Sequence, residues 1–398
     1  VTETRQIRLG RLFERRKILG FVDEPMLSVF REHGVVLKDD MVNHNQTAED
    51  RSIYQLVEPG WLAVNRMKAW QGSLGVSAHR GIMSGHYICF APRHSEHDRY
   101  LHYLLRSPRM TAHFAAISRG VRPGQIEIDN DQLAATPLDL PSTDEQRRIA
   151  DFLDDRVARI DQIIAARGIQ LDLINEVAVS GTSDLLGAVG PEGPPLSGVC
   201  RIVDTEHKTA PIVAGGGYWI AGTGAIRDGR LVHDRLRETD SDSFTEWTSR
   251  GVPECGDVLL TREAPVGEVA LLSEHDPPVA IGQRVVLLKP NAKTLDSGFL
   301  RLVLMAGEMR RIISMASAGS LHPHLNMADI SRLRIPSSPL EDQLSLGRAH
   351  QRILMHAQSS RSTLERSLDR LIEYKQSLIT AAVTGEFDVT TTGSGIPG

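Results

Sequence analysis

Two kinds of hydrophobic pattern alternate along the chain, and each occurs twice. In the first, short apolar runs bounded by Gly and Pro predict strands, as at residues 257–261 and 284–288. Residues near 100–116 and 299–315 instead carry the 3.6-residue spacing of amphipathic helices. In the second pattern Gly and Pro are absent over most of a long segment. From Asp144, apolar residues fall at Leu153, Val157, Ile160, Ile164, Leu171, Ile174 and Ala178, a 4,3 alternation interrupted by Arg167. This is a heptad seam. Ser142 or Thr143 is the expected N-cap, with acids in the first turn opposing the helix dipole. A second, less regular stripe, Ile353, Ala357, Leu364, Leu368, Leu371, Tyr374, Leu378 and Ala381, predicts a helix from about 341 to 384. The first helix, of roughly 35 residues, spans on the order of 50 Å. Neither stripe can remain exposed alone, so the two helices are expected to pair.

The alternation is a repeat in sequence as well as in pattern. Gly60-Trp-Leu-Ala-Val-Asn-Arg66 returns as Gly256-Asp-Val-Leu-Leu-Thr-Arg262, and the stretch from Gly85 to Pro92 returns from Gly282 to Pro290 with one insertion. Each copy closes on a short apolar strand, a Pro turn and an acidic-Gln helix start: Asp144-Glu-Gln146 and Glu341-Asp-Gln343. Over most of this length the offset stays between 195 and 199. The expected fold is therefore mixed α/β (α+β): two repeated globules joined by two long antiparallel coiled-coil helices, related by a pseudo-two-fold axis. The boundaries expected are 1–140 for the first globule, 141–186 for the central helix and 187–198 for a Gly/Pro-rich linker. The second globule then covers 199–336, the distal helix 337–386 and a tail 387–398.

Composition changes this picture in three places. The formal net charge of −5 argues against a nucleic-acid partner, yet residues 61–125 hold nine basic residues against two acids, a surplus that could face phosphates. No signal-like start and no run of about 20 apolar residues is present, which predicts a soluble, cytoplasmic protein without a membrane partner. Cys89, Cys200 and Cys255 are scattered and odd in number, and are expected to be buried thiols in a reducing compartment.

Candidate chemistry is sparse. Asp276-Pro-Pro-Val279 is similar to the Asp/Asn-Pro-Pro-aromatic loop of DNA amino-methyltransferases, but valine replaces the aromatic that would stack on a flipped base, so a turn is expected. Gly215-Gly-Gly and Gly222-Thr-Gly lack the residues of a phosphate loop and predict tight turns. His322-Pro-His324 has no Cys/His partners at metal-ligand spacing. Asp369, Glu373 and Lys375 fall on a coiled-coil helix, where charge is a solvated face. No catalytic constellation, metal site or cofactor site of this chain's own emerges.

Gly256-Asp-Val-Leu-Leu-Thr-Arg-Glu-Ala-Pro-Val-Gly-Glu-Val-Ala270, followed by Ile281-Gly-Gln-Arg284, resembles the specificity subunits of Type I restriction-modification systems. The helical stretches Asp144-Glu-Gln-Arg-Arg-Ile-Ala-Asp-Phe-Leu-Asp and Leu371-Ile-Glu-Tyr-Lys-Gln-Ser-Leu-Ile-Thr-Ala-Ala-Val-Thr-Gly385 carry the same resemblance, which covers nearly the whole chain. The first globule keeps the family wording less well, and the first helical segment is expected to fray into Ser180-Gly-Thr-Ser. The resemblance implies a non-catalytic DNA-recognition subunit. Two target-recognition domains would each read half of a bipartite site in double-stranded DNA, and the helices would dock two methyltransferase subunits. S-adenosylmethionine then belongs to the methyltransferase partner, and ATP and Mg to a restriction subunit where the system has one.

At matching positions of the two copies, side chains able to bond base edges become the DNA-binding candidates. They are Asn65, Arg66, Gln71, Arg122 and Gln125 in the first copy, and Thr261, Arg262, Gln283, Arg284, Ser320, His322, His324 and Asn326 in the second. For partner binding the helical stripes offer Ile160, Ile164, Leu171, Leu364, Leu371 and Leu378. Two other functions fit parts of the pattern: a stand-alone DNA methyltransferase or nuclease, and a coiled-coil scaffold without DNA contact. Binding of S-adenosylmethionine by the isolated chain would favour the first, and complexes with no sequence-selective DNA binding the second.

Overall fold

A computed structural model describes residues 4–41, 50–122, 125–187, 193–205, 208–318, 323–386 and 389. The chain divides into two compact units, Val1–Ala166 with Ser367–Gly398, and Arg167–Arg366. Each unit takes one globule and a part of both long helices, which run over Thr143–Leu186 and Leu340–Thr384.

In the first unit, β1 (Phe13–Arg15), β2 (Leu62–Asn65), β3 (Leu74–Val76) and β4 (Tyr87–Pro92) form an antiparallel sheet in the order β1-β4-β2-β3. Successive side chains of a strand point to opposite faces, and the sheet is apolar on both. Leu62 and Val64 pack on Tyr100, Leu101 and Leu105 of α1 (Asp98–Arg106) and on Phe114 of α2 (Pro108–Ala116). Trp61, Ala63 and Cys89 turn the other way, onto the ladders Leu27–Phe30 with Gly34–Leu37 and Gln55–Val57 with Gly81–Met83. The helical spacing expected near 100–116 is realised as two helices that meet at Ser107, whose Oγ accepts from the Met110 amide, with Pro108 at the position where a missing N–H costs nothing. Ile149, Ala150 and Leu153 of the central helix and Ala382 and Val383 of the distal helix complete this core.

The second unit repeats the design. Its sheet is β5 (Cys200–Asp204), β6 (Val258–Thr261), β7 (Val269–Leu271) and β8 (Val285–Pro290), in the order β5-β8-β6-β7 and again wholly antiparallel. Val258 and Leu260 face the helices α3 (Ser297–Met305) and α4 (Gly307–Ser317), while Leu259 and Leu287 pack on Ala221, Ile226 and Leu231. Here the outer layer is a three-stranded sheet of Arg237–Thr239, Tyr218–Ala221 and Val279–Ile281.

The long helices pair antiparallel in both units. In the first, Lys375 Nζ reaches Asp161 at 2.6 Å, while Ala382 and Ile149 share the core. In the second, Arg361 bonds Asn175, and a Cβ on Gly181 would sit 3.2 Å from Ile353 Cδ1. The expected fraying at Ser180-Gly-Thr-Ser does not occur. Thr182 and Ser183 return their hydroxyls to the carbonyls of Ala178 and Val179, and Gly181 lets the partner helix approach. The central helix therefore continues to Leu186, and Leu185 and Leu186 pack on the second core. Tyr374 leaves the predicted seam and is exposed, while the neighbouring Lys375 is half-buried. Of the cysteines, Cys89 and Cys200 are buried as expected, whereas Cys255 is exposed in the turn leading into β6. Among the described residues no helix is long and apolar enough to cross a membrane.

Candidate nucleic-acid interface

The end of β6 carries a linked set of polar side chains. Thr261 is fully buried; its hydroxyl donates to Pro265 O at 2.6 Å and accepts from the Glu268 amide at 2.9 Å, closing the loop between β6 and β7. Arg262 follows. Its amide donates to Arg284 O at 3.0 Å and its carbonyl accepts from Leu325 N at 2.9 Å, so its backbone is stitched on both sides. Only 5% of the residue is exposed. Its guanidinium donates to Asp204 Oδ1 at 3.0 Å and meets His324 Nε2 at 2.9 Å. A guanidinium has no acceptor, so Nε2 of His324 must accept and its proton must sit on Nδ1. That proton is donated to Glu263 Oε1 at 3.1 Å, and Glu263 Oε2 pairs with Arg284 Nε at 2.9 Å.

The result is a relay from buried to exposed: Asp204, Arg262, His324, Glu263, Arg284. With histidine in this neutral tautomer, two guanidiniums offset two carboxylates. The side chain of Arg284 is 51% exposed, and its terminal nitrogens have no protein partner among the described residues, so it presents a free fork of donors. Thr261 and Arg262, expected as base contacts, are buried and held by internal bonds in this structure. Arg284 remains a candidate contact. Gln283 is half-buried beside it; Asn326 is exposed, with Nδ2 donating to Asp329 Oδ2 at 3.3 Å. Ser320 and His322 lie outside the described residues.

The first copy keeps the backbone of this arrangement. The Arg66 amide donates to His86 O at 3.1 Å and its carbonyl accepts from Ile128 N at 3.2 Å. Arg66 itself is half-buried, with Nε enclosed and unpartnered. Asn65 Oδ1 accepts from the Met67 amide at 3.1 Å, and Gln71 closes a 3-10 turn at Ala69–Gln71. Arg122 and Gln125 pair across the hairpin Ser118–Arg122 and Gln125–Ile128; their side chains are outside the described part. Sequence reading missed Asp204 and Glu263, and in the first copy His86, whose carbonyl accepts from the Arg66 amide. Counting the matched strand register across the repeat would have flagged His86 against Arg284.

The basic surplus of residues 61–125 is smaller than it reads. Arg80 pairs with Glu24 and Glu58, Arg93 with Glu14 and Arg99 with Asp154, all acids outside that window. Arg106 donates to the carbonyls of Phe30, Leu74 and Arg31. Arg66, Lys68, Arg109 and Arg119 remain as candidates for phosphate, and the Arg122 side chain lies outside the described part.

Asp276 anchors a turn, accepting from the Ser273 amide at 2.7 Å and meeting His233 Nε2 at 2.6 Å. Gly215 and Gly217, at φ +78° and +77°, make the tight turn expected of them. Lys375 belongs to the helix pair. Of the six apolar helix positions, Ile160 is fully buried and Ile164, Leu171, Leu364, Leu371 and Leu378 are half-buried. All six are at least partly withdrawn from solvent, and Leu378 packs against the first core. The apolar side chains left exposed are others, chiefly Ile169, Leu173 and Val177 on one stripe of the central helix.

Two copies of one α+β scaffold, each seated on long paired helices and each ending a core strand in a different polar set, define a duplicated recognition protein. Residues 67–172 and 212–350 match the family described as the Type I restriction modification DNA specificity domain, and the chain belongs to that family. The family's description is of DNA specificity in Type I restriction-modification. A relative is the Type I restriction enzyme EcoBI specificity subunit of Escherichia coli, 24% identical over 161 residues, which are 40% of this chain and 34% of that one. The match thus spans about a third of that relative's length. A solved chain from work on complex assembly and conformational transition of the type I R-M system superposes with a TM-score of 0.70 at 16% identity. The superposition covers 96% of this chain and 98% of that one, a likeness of fold.

Proposed function

We propose that the chain reads a bipartite site in double-stranded DNA, one half-site per globule, and carries two methyltransferase subunits on its long helices in the cytoplasm. The observation that carries this reading is the repeat itself: equal strand order and equal backbone bonding at Arg66 and Arg262, with different side chains around them. A scaffold held by backbone bonds can vary its polar end without refolding, which is what reading two unlike half-sites requires. Residues 1–140 and 199–336 are the proposed reading domains, and 141–186 and 337–386 the helices. For partner docking, the exposed stripe of Ile169, Leu173 and Val177 is the better candidate surface, since the six positions expected from the sequence are at least partly withdrawn from solvent.

The test is exchange of each reading domain for that of a relative, with the partner methyltransferase present, followed by long-read mapping of modified bases. Exchange of 1–140 should change one half of the modified motif and leave the other half and the spacer length intact; exchange of 199–336 should do the converse. An active exchange that altered both halves would sink the modular reading.

A further inference from the structure

Both long helices open on an acidic pair and a glutamine, and the DNA-facing candidates make no use of it. Gln146 and Gln343 are each the fourth residue of their helix, and both are buried. In the first unit, Gln146 Oε1 accepts from the His97 amide at 2.9 Å, while Nε2 donates to Pro141 O at 3.0 Å and Glu96 Oε2 at 2.6 Å. In the second, Gln343 Oε1 accepts from the Asp296 amide at 2.9 Å, while Nε2 donates to Ser338 O at 2.8 Å and Thr294 O at 3.2 Å.

The two joints share two of their three contacts, and the third acceptor is the Glu96 carboxylate in one and the Thr294 carbonyl in the other. His97 and Asp296 are the N-caps of α1 and α3, and Pro141 and Ser338 stand five residues before their glutamines. The residues supplying the two shared contacts differ, and their backbone geometry does not. Each amide uses both its N–H groups and faces its oxygen to a donor, so it cannot be reversed without opposing like groups. Apolar packing lets a helix tilt; directional buried bonds oppose it.

We propose that Gln146 and Gln343 are positioning residues for DNA reading: they fix the angle of each globule on its helix and thereby the half-site separation the protein accepts. The proposal rests on the bipartite reading above. A tilt of about ten degrees displaces the end of about 30 Å of helix by about 5 Å, more than the roughly 3.4 Å that separates neighbouring base pairs. A loosened joint should therefore blur spacing and leave the bases read unchanged.

The experiment uses the full chain with its methyltransferase partner, and a plasmid library in which both half-sites stand at the native separation or at separations one to three base pairs longer or shorter. Gln146→Ala, Gln343→Ala and the milder Glu96→Ala, which removes one acceptor from the first joint, are compared with the parent. Assembly is checked by size exclusion and folding by thermal melt. Each variant should raise methylation at neighbouring separations about ten-fold or more relative to the native one, the scale set by weakened buried hydrogen bonds, with unchanged half-site bases. Folded, assembled variants confined to the parental separation, or inactive at every separation, would overturn the proposal. Should the alanine variants fail to assemble, Glu96→Ala decides alone, and its failure to assemble counts against the proposal. A parent that modifies no two-part site refutes the bipartite reading itself, a distinguishable result.

Discussion

The strand end of the second globule and its counterpart in the first share a backbone and almost none of their side chains. Aligning β1 with β5 and β2 with β6 through their pairing to β4 and β8 sets Lys17 where the second copy has Asp204, and Met67 where it has Glu263. The bonds from Arg66 and Arg262 set His86 against Arg284 and Glu127 against His324. The second copy thus encloses one guanidinium in a charge-balanced relay that presents another. Its counterpart leaves Arg66 half-buried, and the Nε of both arginines is enclosed and unpartnered. Backbone bonds fix where the polar end sits, and side chains alone decide what it offers.

Breaking the buried guanidinium in each copy should separate them most. Arg262→Met removes the guanidinium that Asp204 and His324 share, and should cost about 2–3 kcal/mol, below the full penalty for a buried pair because Asp204 keeps partial solvent access and His324 keeps Glu263. Arg66→Met should cost less than about 1 kcal/mol, since Arg66 is only half-buried and no ion pair among the described residues holds its guanidinium. Calorimetric melting of both variants checks this, and equal losses would mean that the first copy holds its arginine as firmly as the second.

The helices under the sheets extend the contrast. The register of α1 and α3 sets His102 where the second copy has Arg301. His102 Nδ1 lies 3.0 Å from Val76 O, and burial, with the Arg106 charge second, pushes its pKa down to about 3. His350, buried and beside Arg301, is likewise held at about 3. Both are neutral when folded, whereas the unfolded chain takes up a proton below about 6.5. Their contribution to stability is therefore complete above that pH and is lost as pH falls from about 6.5 towards 3, at about 2 kcal/mol per histidine by pH 5. His102→Gln, which keeps a donor for Val76 O, should flatten the acid limb of the melting-temperature profile by roughly half. An unchanged limb would place the acid sensitivity elsewhere.

Much of this architecture is legible in the sequence because it is local or periodic. The heptad positions Leu153 to Ala178 all turn inward, and the acidic-Gln starts fall in the first turn of both helices. What was not legible depends on partners distant along the chain. Asp204 lies 58 residues from Arg262, so no local pattern tells a buried anchor from a base reader. The acids that neutralise Arg80, Arg93 and Arg99 lie outside the window that made residues 61–125 look basic. Gly181 suggested a break, and only the close approach of Ile353 explains why the helix runs through it.

The smallest effect expected tests whether charge or the apolar seam holds the helix pair. Lys375 with Asp161 joins the two helices in the first unit, whereas in the second Arg361 reaches Asn175 on the central helix and Asp228 on the globule; Asp161 and Asp228 are about half exposed. Water screens such pairs, so a double-mutant cycle of Lys375→Met with Asp161→Asn should give a coupling of about 0.3–1 kcal/mol that shrinks as salt is raised. Arg361→Met with Asp228→Asn should fall at the upper end of the same range, because one guanidinium serves two partners. Leu171→Asp, by contrast, puts a charge into the seam and should unpair the helices. A coupling above about 2 kcal/mol at Lys375 would show that charge, rather than the heptad stripe, sets the pairing there.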